Sequence, residues 1–121
     1  MKTIVVQWDP EAYQEFRELQ EAVAEGRKTA KKPTYEQLLS SINNAVNNLK
    51  SNPFYGDLIP RKYLTKKTIE KYGTNKIFRI ELVGYWRMLH TVVGDEAQII
   101  ALILEYVDHH TYDKLFGYKK K

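Results

Sequence analysis

The chain has 121 residues, of which 43% are hydrophobic, and a formal net charge of +4. This length and apolar content suit one compact unit, so we expect a single domain over residues 1–121. The sequence contains no cysteine, which excludes disulfides and thiolate metal ligands and fits an intracellular, cytoplasmic protein. Only a short apolar run precedes Asp9, which indicates neither a signal peptide nor a membrane span.

Basic residues are concentrated in the middle of the chain. Between residues 61 and 87 there are eight basic and two acidic residues, whereas residues 1–30 carry four basic and six acidic residues. This asymmetry predicts a basic face suited to a polyanion. The alternative is an ordinary solvated charged surface.

The N-terminal part predicts a strand followed by a helix. Residues 3–8 are β-prone, and Asp9 can cap a helix that has Pro10 at its first position. Gly26 ends the helical pattern. The expected apolar face consists of Tyr13, Phe16, Leu19 and Val23.

A second helix follows a basic turn at residues 27–32. Thr34 and Gln37 form a capping box, and the helix should end near Ser51, before Asn52-Pro53. Its apolar stripe is Tyr35, Leu38, Leu39, Ile42, Ala45, Val46 and Leu49. Its opposite face, which we expect to be solvated, carries Ser40, Asn43, Asn44, Asn47 and Asn48. The two helices should form a hairpin that packs on a sheet.

Beyond Pro53 the pattern becomes extended. Residues 58–64 could form a short basic strand, and residues 65–72 a loop or one helical turn. The segment 76–83 alternates, which places Arg79 and Glu81 on the face opposite its apolar residues, Phe78, Ile80 and Leu82.

The last two strands are predicted around a hairpin at residues 94–96. Gly84 reverses the chain into the first of them, over residues 86–93. The second covers residues 97–106, and its apolar run at 99–104 indicates an interior strand that is covered on both faces.

The predicted fold class is α+β, with the order β-α-α-β-β-β(-β) and a short C-terminal helix. A curved, mostly antiparallel sheet carries the N-terminal helical hairpin on one face. We expect the other face to be open and lined by basic residues of the central strands.

All three histidines lie beyond residue 89. His109 and His110 directly follow the last strand, whose rigid end could aim them for acid–base chemistry or anion recognition. The alternative is a helix start with solvated polar residues. His90 shares its strand face with apolar residues and is interpreted as a histidine at the edge of the core. No metal site is expected, because adjacent histidines on an extended chain point apart.

The order of elements and two motifs resemble the RelE/ParE superfamily of toxins from toxin–antitoxin systems. The motifs are the strand at residues 84–89, Gly-Tyr-Trp-Arg-Met-Leu, and the ending at residues 108–114, Asp-His-His-Thr-Tyr-Asp-Lys. The ending at residues 112–119 is most similar to archaeal RelE-like proteins. The resemblance implies a metal-independent toxin that cleaves mRNA in the ribosomal A site through attack by the 2′-hydroxyl. It also implies a cognate antitoxin, expected to be a small acidic protein.

Carried over by position, the resemblance assigns catalytic roles to four residues. Arg87 matches a strand arginine that would clamp phosphate, although a surface salt bridge is the alternative. His109 matches a histidine that would act as acid or base, with His110 as its rival. Tyr112 matches a C-terminal tyrosine that would stack on a base or assist proton transfer; its alternative is a core aromatic. The RNA-binding candidates are Arg61, Lys62, Lys76 and Arg79.

The sequence departs from the family pattern at two places. Lys76 and Arg79 replace a lysine pair, and their spacing puts them on opposite faces unless a bulge intervenes; Glu81 would partly neutralise Arg79. Trp86, inserted before Arg87, leaves the strand register open by one residue. The tail at residues 119–121 is expected to be flexible and to add non-specific attraction to RNA.

Two other functions remain open at this point. A ParE-like toxin would poison DNA gyrase by binding, and an inactive relative would only bind its antitoxin. The exposed parts of the Tyr13–Phe16 and Leu38–Ile42 stripes are the expected antitoxin surfaces.

Overall fold

The computed structural model describes residues 2–117, and the tail at 119–121 lies outside them. Within that range the chain forms five strands and four α-helices. In chain order these are β1 (Thr3–Trp8), α1 (Pro10–Ala24), α2 (Tyr35–Ser51), β2 (Asp57–Leu58), α3 (Lys66–Tyr72), β3 (Phe78–Glu81), β4 (Arg87–Gly94), β5 (Gln98–Val107) and α4 (His109–Phe116). Short 3₁₀ helices cover Arg61–Tyr63 and Val83–Tyr85. None of the helices in this range is long and apolar enough to cross a membrane.

The starts of the first two helices are where the sequence predicts them. The Asp9 carboxylate accepts hydrogen bonds from the backbone N–H groups of Glu11 and Ala12, at 3.1 and 3.4 Å. Thr34 and Gln37 form the reciprocal capping box, with bonds of 3.1 and 2.9 Å. These bonds satisfy backbone donors that the first helical turn cannot satisfy itself.

The buried face of α1 differs from the predicted one. Phe16 and Leu19 are buried as expected, but Tyr13 is 43% exposed and Ala12 and Ala22 take the remaining inward positions. Alanine lets the helix lie close to the sheet, whereas a search for large apolar residues passes over it. The predicted stripe was therefore rotated away from the true contact face.

The strand order is β1-β5-β4-β3-β2, with β1 parallel to β5 and the other pairs antiparallel. The apolar run in β5 correctly predicts an interior strand. Ala101 and Ile103 pack in the core under α1 and α2, whereas Leu104 packs in a second core on the opposite face.

The helical hairpin covers the first face of the sheet, as predicted. Ile42 and Leu49 of α2 are fully buried against Met88 and other strand residues. The polar positions on the outer face of α2 are exposed: Ser40, Asn43, Asn44, Asn47 and Asn48.

The second face of the sheet was expected to be open, and that expectation was wrong where α4 packs. Tyr112 and Phe116 of α4 join Ile77, Leu89 and Leu104 in a second buried cluster. The apolar residues that β5 presents on this face must be removed from water, and the amphipathic C-terminal helix is the element that covers them.

The segment between α2 and β3 also differs from the prediction. The strand expected over residues 58–64 is limited to Asp57–Leu58, because Pro60 lacks a backbone donor and a 3₁₀ turn follows it. Residues 65–72, left as a loop or one helical turn, contain α3, which Thr65 caps through Thr68. The hairpin at residues 94–96 is confirmed: the Asp95 carboxylate accepts from two backbone N–H groups beyond the turn.

Candidate functional site

Arg79 and Arg87 lie on the same face of the sheet. The register pairs Glu81 with Arg87 and Arg79 with Leu89, and directly opposed residues of antiparallel strands point to the same side. Leu89 belongs to the second core, so this is the face that α4 covers. The pairing resolves the register question raised by Trp86 and confirms that Arg79 and Glu81 share a face.

Tyr112 stands against both guanidinium groups. Arg79 Nη1 donates a hydrogen bond of 2.7 Å to the Tyr112 hydroxyl, and the Arg87 Cζ lies 5.1 Å from the centre of the tyrosine ring. Tyr112 is only 1% exposed. A ring this buried offers no free face to a nucleobase in this structure, and its place in the second core agrees with the alternative of a core aromatic. We call Arg79, Arg87 and Tyr112 the arginine–tyrosine cluster.

Arg87 is held by further contacts along its strand. Its side chain is 16% exposed, with Nε 3.1 Å from a carboxylate oxygen of Glu81. Its Nη1 donates to the carbonyl oxygen of Tyr85. The acidic neighbour expected beside Arg79 thus forms an ion pair with Arg87. A guanidinium fixed by several partners is oriented before any ligand arrives.

His109 and His110 are exposed in the first turn of α4. Asp108 caps this helix by accepting a 2.8 Å hydrogen bond from the backbone N–H of Thr111. Hydrogen bonding from Thr111 lowers the pKa of Asp108 below its usual value, with smaller contributions from the two histidines. The helix start anticipated as an alternative is therefore real, and it fixes the backbone that carries both imidazoles.

Both histidines line a cavity of about 650 Å³, which we call the loop cavity. It lies between α1, the loop that joins α1 to α2, and the segment before β4. Its remaining walls include basic residues of the loop (Arg27, Lys31 and Lys32) and aromatic side chains (Tyr35, Tyr85, Trp86 and Tyr106).

The loop cavity and the arginine–tyrosine cluster adjoin each other at Tyr85. The carbonyl of Tyr85 accepts from Arg87, and its ring meets the His109 ring edge-on with centroids 6.2 Å apart. Neither Arg87 nor Tyr112 lines the cavity. The predicted catalytic residues Arg87 and His109 therefore lie in two neighbouring sites, with Tyr85 between them.

The turn at Tyr85 depends on close backbone packing. Gly84 has φ of +65°, and a Cβ at this position would lie 2.7 Å from Cδ of Pro33. Only glycine permits this approach without displacing the proline. The contact joins the loop between α1 and α2 to the turn before β4 and closes one side of the cavity.

The four predicted RNA-binding residues do not form one group. Arg61 and Lys76 are exposed and border the same shallow groove, and Lys62 is exposed nearby on the Arg61–Tyr63 turn. Arg79 instead belongs to the arginine–tyrosine cluster. Sequence reasoning missed the basic loop at 27–32 and Tyr85 as site residues, although the basic turn and the Gly84-Tyr85-Trp86 motif were both visible signals.

His90 was predicted at the edge of the core, and the structure buries it completely. Its ring stacks on Phe78 with centroids 5.0 Å apart, and its Nε2 is 2.7 Å from the Tyr55 carbonyl oxygen. Burial lowers its pKa. Across residues 2–117, no group of three or more His, Cys, Asp or Glu side chains is arranged to hold a metal ion.

Comparison with known proteins yields a structural match alone. No protein-family model matches the chain. No curated protein matches it either. Among solved structures it is similar to a YoeB/ParE toxin from Agrobacterium tumefaciens, with a TM-score of 0.54 and 16% sequence identity over 90% of this chain and 99% of that one.

This likeness establishes the fold. The chain has a RelE/ParE-like α+β fold with a mostly antiparallel five-stranded sheet, as the sequence resemblance implied. The expected nearness to archaeal RelE-like proteins finds no support in these comparisons.

Proposed function

We propose that the protein is the toxin of a type II toxin–antitoxin system and acts as a metal-independent, ribosome-dependent mRNA endonuclease. The fold shared with a YoeB/ParE toxin supports the toxin assignment. The nuclease assignment rests on one observation: two guanidinium groups are fixed on Tyr112 next to a turn whose other side carries two exposed histidines.

The proposed chemistry is cleavage by the RNA strand's own 2′-hydroxyl. A base removes the hydroxyl proton, the 2′-oxygen attacks the adjacent phosphorus, and the bond to the 5′-oxygen breaks as an acid protonates that oxygen. The products are a 2′,3′-cyclic phosphate and a free 5′-hydroxyl. His109 and His110 are the candidates for the proton transfers, because imidazole changes charge near neutral pH.

Arg87 is the candidate for stabilising charge on the phosphoryl group. A guanidinium can contact two phosphate oxygens at once, and a preorganised donor stabilises developing charge without reorganising. Phosphate would compete with Glu81 for this side chain. Tyr112 acts as a positioning residue through Arg79, and the exposed Arg61, Lys62 and Lys76 would contact RNA phosphates away from the cleavage point.

The proposed partners are mRNA in the ribosomal A site and an acidic antitoxin. Leu38 and Ile42 are buried in the core, so we no longer propose their stripe as an antitoxin surface. Phe16 is buried as well, and Tyr13 is the exposed member of the first stripe. We therefore retain the outer side of α1 around Tyr13 as a docking surface.

Separate Arg87→Ala, His109→Ala and His110→Ala variants test the nuclease assignment. Expression should arrest growth for the wild type, and Arg87→Ala and at least one histidine variant should reduce mRNA cleavage by about 10²-fold or more. Lys50→Ala, an exposed change on α2, is the matched control. Antitoxin binding, measured by co-purification with the product of the neighbouring reading frame, checks that each variant is folded.

The outcomes separate three functions. Arrest that persists in every variant overturns the site assigned here. Arrest with intact mRNA and inhibited DNA gyrase identifies a ParE-like toxin instead. Antitoxin binding without any arrest by the wild type identifies an inactive relative.

A further inference from the structure

The loop cavity has the size of a ligand site. Its volume of about 650 Å³ lies within the range of ~300–1,000 Å³ that is typical of small-molecule pockets. The proposed cleavage chemistry uses only the two histidines at its edge. Its aromatic wall and its charged ends therefore have no assigned role.

The aromatic wall is built for stacking. Tyr85 is 71% exposed, and its backbone has φ of +65°, a conformation that costs energy for any residue other than glycine. Behind it, Trp86 contacts Tyr106 with ring centroids 6.1 Å apart. A large ring held out to solvent beside a cavity offers a π-face, which every nucleobase can stack upon.

Carboxylates line the cavity along the middle of α1. Glu15 and Glu18 lie on the same helical face as Leu19 and Ala22, which also line the cavity. Burial and the nearby carboxylates of Glu105 and Glu18 raise the pKa of Glu15. An ionised carboxylate can only accept hydrogen bonds, so this part of the cavity favours a ligand that donates them.

Cations line the cavity beyond the end of α1. Lys31 and Lys32 come from the following loop, and Arg27 beside them is paired with Glu25 at 2.7 Å. From Glu15 to the end of α1 is about 13 Å along the helix axis. The cavity thus presents acceptors along α1 and exposed ammonium groups at its loop end, while the remaining acid, Asp108, is engaged as a helix cap.

We propose that the loop cavity is a subsite for one nucleotide of an RNA strand, and that it prefers a base with an exocyclic amino group. The base stacks on Tyr85 at the aromatic wall, its amino group donates to Glu15 and Glu18, and its phosphate meets Lys31 and Lys32. The inference rests on the proposed nuclease function, because His109 and His110 line the cavity and are also the proposed acid and base of cleavage. It adds a source of sequence preference that the arginine–tyrosine cluster does not supply.

Calorimetric titration of the full-length protein with GMP, AMP, CMP and UMP tests the subsite without requiring cleavage. The three amino-bearing nucleotides should bind about tenfold more tightly than UMP, which lacks the amino group. Tyr85→Ala should weaken GMP binding about tenfold through loss of one stacking contact. Phe54→Ala, another exposed aromatic but one outside the cavity, should leave binding unchanged.

A paired charge change tests the carboxylates. The double variant Glu15→Gln/Glu18→Gln should reduce the preference for GMP over UMP severalfold. The matched double variant Glu11→Gln/Glu21→Gln removes the same charge from the same helix, outside the cavity lining, and should retain the preference.

Failure of this inference can be told apart from failure of the proposed function. If the wild type cleaves mRNA but binds none of the four nucleotides, or if Tyr85→Ala binds them normally, the subsite is refuted and the nuclease remains. If the nucleotides bind as expected but no cleavage occurs, the nuclease fails and the cavity remains a nucleotide site. If no nucleotide binds and the antitoxin slows amide hydrogen exchange in the residues that line the cavity, the cavity is a protein-docking site instead.

Discussion

Tyr112 illustrates how one buried side chain can orient two others. Its hydroxyl accepts from Arg79 and its ring lies under Arg87, so each guanidinium is held in place by a residue of the core. Burying the ring stabilises the packing of α4 on the sheet as well. Substitution of Tyr112 would therefore affect stability and site geometry together, which makes Arg87 and the histidines the cleaner probes of chemistry.

His90 provides a prediction of pH dependence. Its pKa is lowered by burial, so between the ordinary value near 6.5 and the lower folded value the unfolded chain binds a proton that the folded chain does not. The contribution of His90 to the free energy of unfolding should therefore be fully present above about pH 6.5. It should fall as the pH drops below that value, by at most about 1.4 kcal/mol per pH unit. Urea unfolding between about pH 5 and 8 measures this slope.

Substitution of His90 tests whether this side chain causes the pH dependence of the unfolding free energy. His90→Gln should flatten the pH dependence of the unfolding free energy over that range, because the titrating group is removed. Asn47→Ala, an exposed substitution that removes no titratable group, should keep the wild-type slope. An unchanged slope in His90→Gln would mean that other groups cause the dependence.

At the level of elements, capping residues determine where each helix begins and so help to position the candidate site residues. Asp9, Thr34 and Thr65 start helices in the manner that short-range sequence patterns describe. Asp108 does the same for α4, and its cap lies directly before His109. The cap hydrogen bond therefore helps to fix the first turn, which carries both histidines, while Tyr112 and Phe116 anchor the rest of the helix.

Asp108→Ala should remove that support. Loss of the bond to Thr111 should lower the free energy of unfolding by about 1 kcal/mol, and RNA cleavage should fall further than this loss explains because the histidines lose their fixed turn. Asp108→Asn keeps an acceptor and should retain most of both properties. Urea unfolding and cleavage assays measure the two effects, and equal behaviour of the Ala and Asn variants would contradict the capping role.

At the scale of the whole molecule, one sheet is shared by two cores. The first core lies under α1 and α2 and the second under α4, and β5 contributes to both. Because the same strands line both clusters, we expect the chain to unfold as one cooperative unit, which is also the test of the single-domain prediction.

Leu49→Ala in the first core and Phe116→Ala in the second test whether the two cores unfold together. Each side chain is almost fully buried, so the expected losses are about 2–5 and 3–5 kcal/mol respectively. Both variants should shift the same transition, whether it is followed by tryptophan fluorescence or by circular dichroism. Asn47→Ala, on the exposed face of α2, should change little. A separate transition in Phe116→Ala would show that the second core unfolds independently.

Local patterns in the sequence determined much of this protein. Helix starts at Asp9 and Thr34, the hairpin at Asp95 and the interior position of β5 follow from capping, turn chemistry and apolar runs, which act over a few residues. The placement of Arg79 and Glu81 on the same face follows in the same way from the alternation of a strand.

Only the tertiary structure decided what these elements bring together. Three features depend on contacts between residues far apart in the chain: α4 covers the second sheet face, the buried Tyr112 contacts both Arg79 and Arg87, and Tyr85 separates His109 from Arg87. The loop cavity likewise joins α1, the following loop and the start of α4. Such contacts form because all the elements pack together to bury their apolar surface. No short stretch of sequence contains that information.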